Sequence, residues 1–253
     1  MATPTDDPAR ARPGLRSRLV HRALVAAARR GGPVEKEIVG LAEVVGPGDV
    51  CLDVGAEFGL YTHVLAGLVG PQGAVHAFEP QAGAFRWLAA GVRAAGADQV
   101  RLHRLALGAS TGTATLSVPQ RRGLPVHGRA FVTSGALDEG PNREFAGRRL
   151  ESVALTTLDA AVAELGLGAV HLVKVDVEGA EGALLDGAAR TLRDHRPTLL
   201  VEIEERNTAK FGTAAADILD RLRAEGYRPH VFDGRWRPVS SVDERERNYL
   251  FRP

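Results

Sequence analysis

A chain of 253 residues that is 44% hydrophobic and 25% charged has an ordinary globular balance, enough for one large domain and short for two. Its 32 Lys and Arg nearly cancel 31 Asp and Glu, so no overall field draws it to nucleic acid or to a membrane surface. No apolar run approaches the roughly eighteen residues of a membrane span, and the first ten residues carry acids and prolines where a secretory leader needs basic and apolar ones. A lone cysteine, Cys51, excludes an internal disulfide or a thiolate metal cluster and reads as a small apolar strand residue. The expectation is a soluble cytoplasmic protein.

Residues 1–13, rich in Pro, Thr and Asp without periodicity, read as a disordered tail. A helical extension, 14–46, follows. Leu15, Leu19, Ala23, Leu24 and Ala27 recur at helical spacing beside five arginines, an amphipathic basic helix expected to pack on the main domain and to stop at Gly31-Gly32-Pro33. A second helix is expected over about 34–45. The domain proper, 47–253, then alternates. Val50–Val54, Ala74–Phe78 and Val100–Leu105 are short apolar runs separated by helical stretches near 60–69 and 81–95, the signature of a parallel sheet covered on both faces. Thr113–Val118 and Leu150–Leu155 read as two further strands. Between them, 119–149 is an inserted hairpin or loop with three prolines and no strong period. Val170–Val175 and Thr198–Ile203 extend the sheet around a helix at about 179–194, and a helix at about 213–225 follows. Arg228–Phe232 and Arg247–Phe251, with no helix between them, should pair antiparallel.

Ligands of an open parallel sheet bind beyond the carboxyl ends of its strands, so the residues just after each strand carry the chemistry. After the first strand, Asp53-Val54-Gly55-Ala56-Glu57-Phe58-Gly59-Leu60-Tyr61-Thr62 is a glycine turn entering a helix. It fails the dinucleotide fingerprint, because Gly55 and Gly59 are four apart and Glu57 occupies the middle glycine position. A pyrophosphate there would meet Asp53 and Glu57, whereas the sulfonium and ammonium of S-adenosylmethionine are favoured by carboxylates. After the second strand, Glu79 is placed to accept both hydroxyls of a ribose, with Pro80 opening the next helix. Ala106 and Leu107 offer apolar walls for an adenine. In Leu172-Val173-Lys174-Val175-Asp176-Val177-Glu178, three charges alternate on one side of a buried strand, roughly 6 to 7 Å apart while it stays extended. Lys174 and Glu178 also suit an internal ion pair, Lys174 with Glu178 or Glu202. Asp176 lies where a donor methyl would, and Glu202 closes the fifth strand. The eight histidines are scattered without a close pair, so no metal site is expected unless Asp176 and Glu202 converge.

Taken together, DVGAEFGLYT, AFEP, ALG, TTLD, LVKVDVEGAE, LLVE and NYLF resemble, in order, the FkbM-type methyltransferase family over about residues 35–251. The resemblance implies a Rossmann-like class I methyltransferase fold, a mostly parallel seven-stranded sheet with helices on both faces. It also implies transfer of methyl from S-adenosylmethionine to a hydroxyl of a secondary metabolite or sugar. Gly55, Ala56, Glu57, Gly59, Tyr61, Thr62, Asp53, Glu79, Pro80, Ala106, Leu107 and Asp176 would then hold the cofactor, and Asp176, Lys174 and Glu202 the chemistry. Glu57 departs from the family, which commonly has Asn there, and the position can face the acceptor instead. The same site serves N-methylation, and an inactive cofactor-binding module is the competing reading. The partner expected is a small-molecule acceptor, with neither nucleic acid nor membrane; the sequence does not settle oligomeric state. The 119–149 insertion, with Arg121, Arg122, Arg129, Arg143, Arg148 and Arg149 against Asp138, Glu139 and Glu144, reads as a lid for an acidic or carrier-bound acceptor.

Overall fold

The computed structural model describes residues 15–253 apart from 32, 33, 139 and 244. The tail 1–13, the Gly32-Pro33 stop and Glu139 of the insertion therefore lie outside the described residues. Helix α1 (Leu15–Arg29) packs on α2 (Leu60–Val69), as expected of it, but through a rotated face. Leu15 and Leu19 are exposed, and Ser17, Val20, His21, Leu24 and Ala28 turn inward. The cause is a close contact: Nδ1 of His21 is hydrogen-bonded to the Val64 carbonyl at 3.0 Å, and its ring lies where a Cβ on Gly67 would come within 2.4 Å. The segment expected as a second helix is a 3-10 helix, Lys36–Glu43. There the Gly40 backbone lies against the rings of Phe232 and Trp236, and its carbonyl accepts the Trp236 Nε1–H at 2.9 Å.

The main sheet begins with β1 (Val50–Val54), β2 (Ala74–Phe78) and β3 (Val100–His103), with α2 and α3 (Ala82–Ala95) as crossovers. The third strand is shorter than expected, because the chain leaves this sheet and Ala106–Leu107 forms β4 of another. That second sheet contains β5 (Gly112–Arg121), β6 (Leu124–Pro125), β7 (Phe131–Val132) and β8 (Gly147–Thr156). The insertion is thus not an irregular loop at its base. The β5–β8 ladder runs from Gly112 opposite Leu155 out to Gln120 opposite Gly147, over its own small core of Ala106, Ala114, Leu116, Val118 and Val153.

The chain then re-enters the main sheet through α4 (Leu158–Glu164) and β9 (Leu172–Val175). The single helix expected at 179–194 is two, α5 (Glu181–Asp186) and α6 (Ala189–His195). The break falls at Gly187, where a Cβ would lie 2.1 Å from the Gly108 carbonyl. After β10 (Thr198–Glu202) come α7 (Glu205–Thr208), α8 (Ala215–Ala224), β11 (Arg228–Phe232), β12 (Trp236–Pro238) and β13 (Asn248–Arg252). The sheet order is β12-β11-β13-β10-β9-β1-β2-β3, parallel from β3 to β10. The closing strands β11 and β13 are antiparallel as expected, and β12 adds an eighth, edge strand to the seven. Two apolar cores cover the faces, one around Leu52, Val54 and Val173, the other around Cys51, Val75 and Leu200, the alternation that a strand buried on both sides requires. Cys51 is fully buried in the second. The carboxyl ends of β1, β2, β9 and β10 consequently open on one edge.

Candidate active site

Burial governs the first strand end. Asp53 is 1% exposed, and its Oδ2 accepts the Thr62 hydroxyl at 2.5 Å. Burial pushes its carboxyl up to about 6, against the pull of Thr62 and Lys174. The chain then turns at Gly55, where φ is +80° and a Cβ would sit 1.7 Å from the Asp176 carbonyl oxygen. Only glycine allows β1 and β9 to deliver their loops this close. Two residues on, Glu57 adopts φ +46° without being glycine. Its N–H donates to Glu79 Oε2 at 2.9 Å, and its carboxyl faces Gly128 of the insertion. Burial first, then the nearby Asp176 and Glu35, push that carboxyl up to about 7.

Glu79 is buried, with Oε1 accepting the Gln81 N–H at 2.7 Å and Oε2 that of Glu57. Burial pushes it up to about 7 despite these bonds. Both oxygens are therefore fixed in place, and each keeps a lone pair for a further donor.

At the fourth strand end the expected one-sided row of charges does not persist. The strand stops at Val175, and Glu178 turns back with φ +55°. What forms instead is a cluster: oxygens of Asp176, Glu178 and Glu202 all lie within 4.8 Å of one another. Asp176 and Glu202 thus do converge, the condition the sequence set for a divalent ion. The cluster, however, already has its own arrangement of charge. Lys174 Nζ, 1% exposed, stands 3.6 Å from Asp176 Oδ2, so its ion pair is with Asp176 and not with Glu178 or Glu202. Burial opposes the charge of Lys174, but Asp176, Glu202, Glu35 and Asp53 outweigh it and raise its pKa. Burial and the charge of Asp176 hold Glu202 and Glu178 well above the carboxylate range, and Glu202 shares a hydrogen bond with Asp176. Two carboxyls with raised pKa values and one buried ammonium thus surround Asp176.

Two adjoining cavities occupy this edge. The larger, about 300 Å³, is walled by Phe78, Leu105, Ala106 and Leu107, with Glu79 and Pro80 at one part and Glu178, Glu202 and Arg129 at another. The smaller, about 250 Å³, is lined by Glu35, Asp53, Gly55, Ala56, Glu57, Phe58, Leu60, Tyr61, Lys174 and Asp176. Glu35, Gly55, Glu57 and Asp176 border both. Two expected residues are not at the walls. Thr62 is fully buried and holds Asp53, and Gly59 serves as the left-handed N-cap of α2. Arg121 and Arg122 line a separate hollow at the β5–β6 turn, so the insertion meets the large cavity through His127, Gly128, Arg129 and Phe131. Sequence reasoning missed Glu35, Gln81, Arg206 and Arg247, whereas Arg129 was among the insertion arginines expected to meet an acidic acceptor. Glu35 precedes the first strand and carries no motif, and Arg206 and Arg247 are indistinguishable in composition from the many arginines elsewhere.

A parallel sheet of this order with an acid-lined cleft at its carboxyl edge defines a Rossmann-like class I methyltransferase. Residues 53–229 match the Methyltransferase FkbM domain. The chain belongs to this family of S-adenosylmethionine-dependent methyltransferases, as the sequence motifs implied. No curated protein sequence matches it. Among solved structures it is similar to the FkbM methyltransferase of Methylobacillus flagellatus, with TM-score 0.51 and 16% identity over 93% of this chain and 59% of that one. The chain therefore spans about three fifths of that protein's length, and the likeness concerns the fold. It is also similar to an S-adenosylmethionine-dependent O-methyltransferase of Thermotoga maritima (TM-score 0.47, 14% identity, 90% and 69% of the two chains). A third is Aeropyrum pernix fibrillarin with bound S-adenosylmethionine (TM-score 0.44, 13% identity, 82% and 67%). Among the described residues no helix is long and apolar enough to cross a membrane.

Proposed function

We propose that the protein methylates a hydroxyl oxygen of a small-molecule acceptor, a secondary metabolite or sugar, with Asp176 orienting that hydroxyl and taking its proton. The residues fit the cofactor. The free lone pairs of Glu79 suit a ribose, the Phe78, Leu105, Ala106 and Leu107 wall suits an adenine, and the carboxylates of the smaller cavity suit a cationic amino-acid end. When bound, S-adenosylmethionine supplies a methyl carbon activated by its sulfonium.

The chain's own contribution is position and a proton acceptor. Asp176 borders both cavities, and this is the observation that carries the reading: a carboxylate at the junction of donor and acceptor space. Lys174 Nζ stands 3.6 Å from it, and Glu202, whose carboxyl burial and Asp176 hold well above the carboxylate range, shares a hydrogen bond with it. A hydroxyl must lose its proton during transfer, so this base favours oxygen over a neutral amine, which is already nucleophilic. The Arg129 guanidinium lines the large cavity with Nη1 buried and without a hydrogen-bond partner, a fit for an acidic acceptor. Incubation with isotopically labelled S-adenosylmethionine and a panel of hydroxylated acids and their neutral counterparts, read by mass spectrometry, tests the reading. Label on oxygen of an acidic acceptor is expected. Label on nitrogen alone, or cofactor binding without transfer to any acceptor, would refute it.

A further inference from the structure

The sequence offers Asp53 and Glu57 as carboxylates that favour a cationic ligand, and one oxygen of Asp53 is engaged within the fold. Its Oδ2 accepts the Thr62 hydroxyl, and although Asp53 lines the smaller cavity it is only 1% exposed. Glu35 is in a different position. It lies ahead of β1, outside the span matched by the family domain, and yet it borders both cavities.

Its carboxylate is fixed from two sides. The Tyr61 hydroxyl donates to Oε2, and Asn248 Nδ2 donates to the same atom at 3.0 Å. Both bonds fall on one oxygen, which leaves Oε1 for a ligand. The Asn248 amide is itself oriented, because its Oδ1 accepts from Lys174 Nζ at 3.3 Å. One side chain from β13 therefore joins the buried ammonium to the carboxylate of Glu35 at the rim of one cavity. A cavity with Lys174 and Glu35 held in this fixed relation is complementary to the zwitterion of an α-amino acid.

We infer that Glu35 receives the α-ammonium of S-adenosylmethionine, with Tyr61 and Asn248 as the residues that position it. The inference rests on the proposed placement of the amino-acid end in the smaller cavity. It makes the segment ahead of the family domain part of the cofactor site.

The test compares two ligands that share the adenosine thioether but differ in the amino-acid end, S-adenosylhomocysteine and 5′-methylthioadenosine. Calorimetry is done on the full chain, on Glu35→Gln and on Lys36→Ala. Gln keeps an oxygen for Tyr61 and Asn248, while Lys36→Ala cuts the neighbouring ion pair to Glu246 on the outside of the same segment. Glu35→Gln is expected to weaken S-adenosylhomocysteine about tenfold or more and to leave 5′-methylthioadenosine within about twofold. Lys36→Ala should alter neither. Equal weakening of both ligands by Glu35→Gln, unchanged S-adenosylhomocysteine affinity, or the same selective loss in Lys36→Ala would overturn the inference. A parent protein that binds the two ligands equally would instead overturn the placement of the amino-acid end, and one that binds neither would overturn the cofactor site itself.

Discussion

Replacing Glu57 by Asn should make the protein more stable, and by an amount that depends on pH. Two costs attach to Glu57. Its backbone sits at φ +46°, a left-handed conformation that costs an ordinary residue about 1 kcal/mol and that Asn tolerates. Its carboxyl is pushed from 4.5 up to about 7, chiefly by burial. The group therefore binds its proton more tightly when folded. The stability linked to that proton is fully present below pH 4.5 and is lost as pH rises through about 7. Above both values the loss amounts to about 3.4 kcal/mol, and partial exposure to solvent reduces it to about 2. Glu57→Asn removes both costs and keeps the backbone N–H that donates to Glu79. At pH 8 the gain should be about 2 to 3 kcal/mol, read as a rise of about 1 M in the urea midpoint with an unchanged slope. Near pH 4.5 only the backbone part, about 1 kcal/mol, should remain. A variant no more stable than the parent at pH 8, or a gain that does not shrink on acidification, would refute the account of this turn.

Asp176→Asn should lower turnover about a hundredfold or more while S-adenosylhomocysteine affinity by calorimetry stays within about threefold, and a collapse of affinity would move Asp176 to the donor's side of the site. Glu79→Ala should weaken cofactor binding about tenfold or more, through lost ribose contacts and the freeing of the Glu57 and Gln81 N–H groups. Gly55→Ala adds an atom 1.7 Å from the Asp176 carbonyl at φ +80°; it should cost several kcal/mol, roughly 3 or more, in urea unfolding, and a midpoint equal to the parent's would contradict the close approach. Arg129→Ala should raise the apparent Michaelis constant for an acidic acceptor about tenfold, and Arg121→Ala with Arg122→Ala should not, since those two face a separate hollow. Equal effects from both would restore the hairpin turn to the acceptor site.

The strand ends were legible because each stands where an apolar run meets a turn. Asp53, Glu79, Asp176 and Glu202 could be read as neighbours across a parallel sheet from their positions alone, and the structure brings them to one edge. What was not legible depended on approach between distant segments. Gly187 looks like an ordinary helix glycine until the Gly108 carbonyl is placed beside it, and the expected helix then divides. His21 on Gly67 rotates α1 away from the Leu15 and Leu19 stripe in the same way. Residues 119–149 looked irregular because their pairing follows a second sheet with its own core, which no local period announces. Glu35 carried no signal at all, since its role depends on Tyr61 and Asn248, which lie 26 and 213 residues away.

The strand that comes last in sequence, β13, is not an edge strand; it is inserted between β10 and β11. Its neighbourhood is also where the two ends of the described chain are joined, by Trp236 to Gly40, Lys36 to Glu246 and Asn248 to Glu35, pairs 196 to 213 residues apart. For a chain made from its N-terminus, the Gly55 turn and Glu79 exist long before the sheet can close around them. Such long-range closure makes folding slow, and the unfilled slot between β10 and β11 exposes two unpaired strand edges until it is occupied. On the proposed contact with Glu35, which Asn248 ties to β13, the cofactor would favour the finished molecule and draw the last step of folding forward by mass action. Bound methyl donor would then hold the closed sheet together as well as supply the reaction.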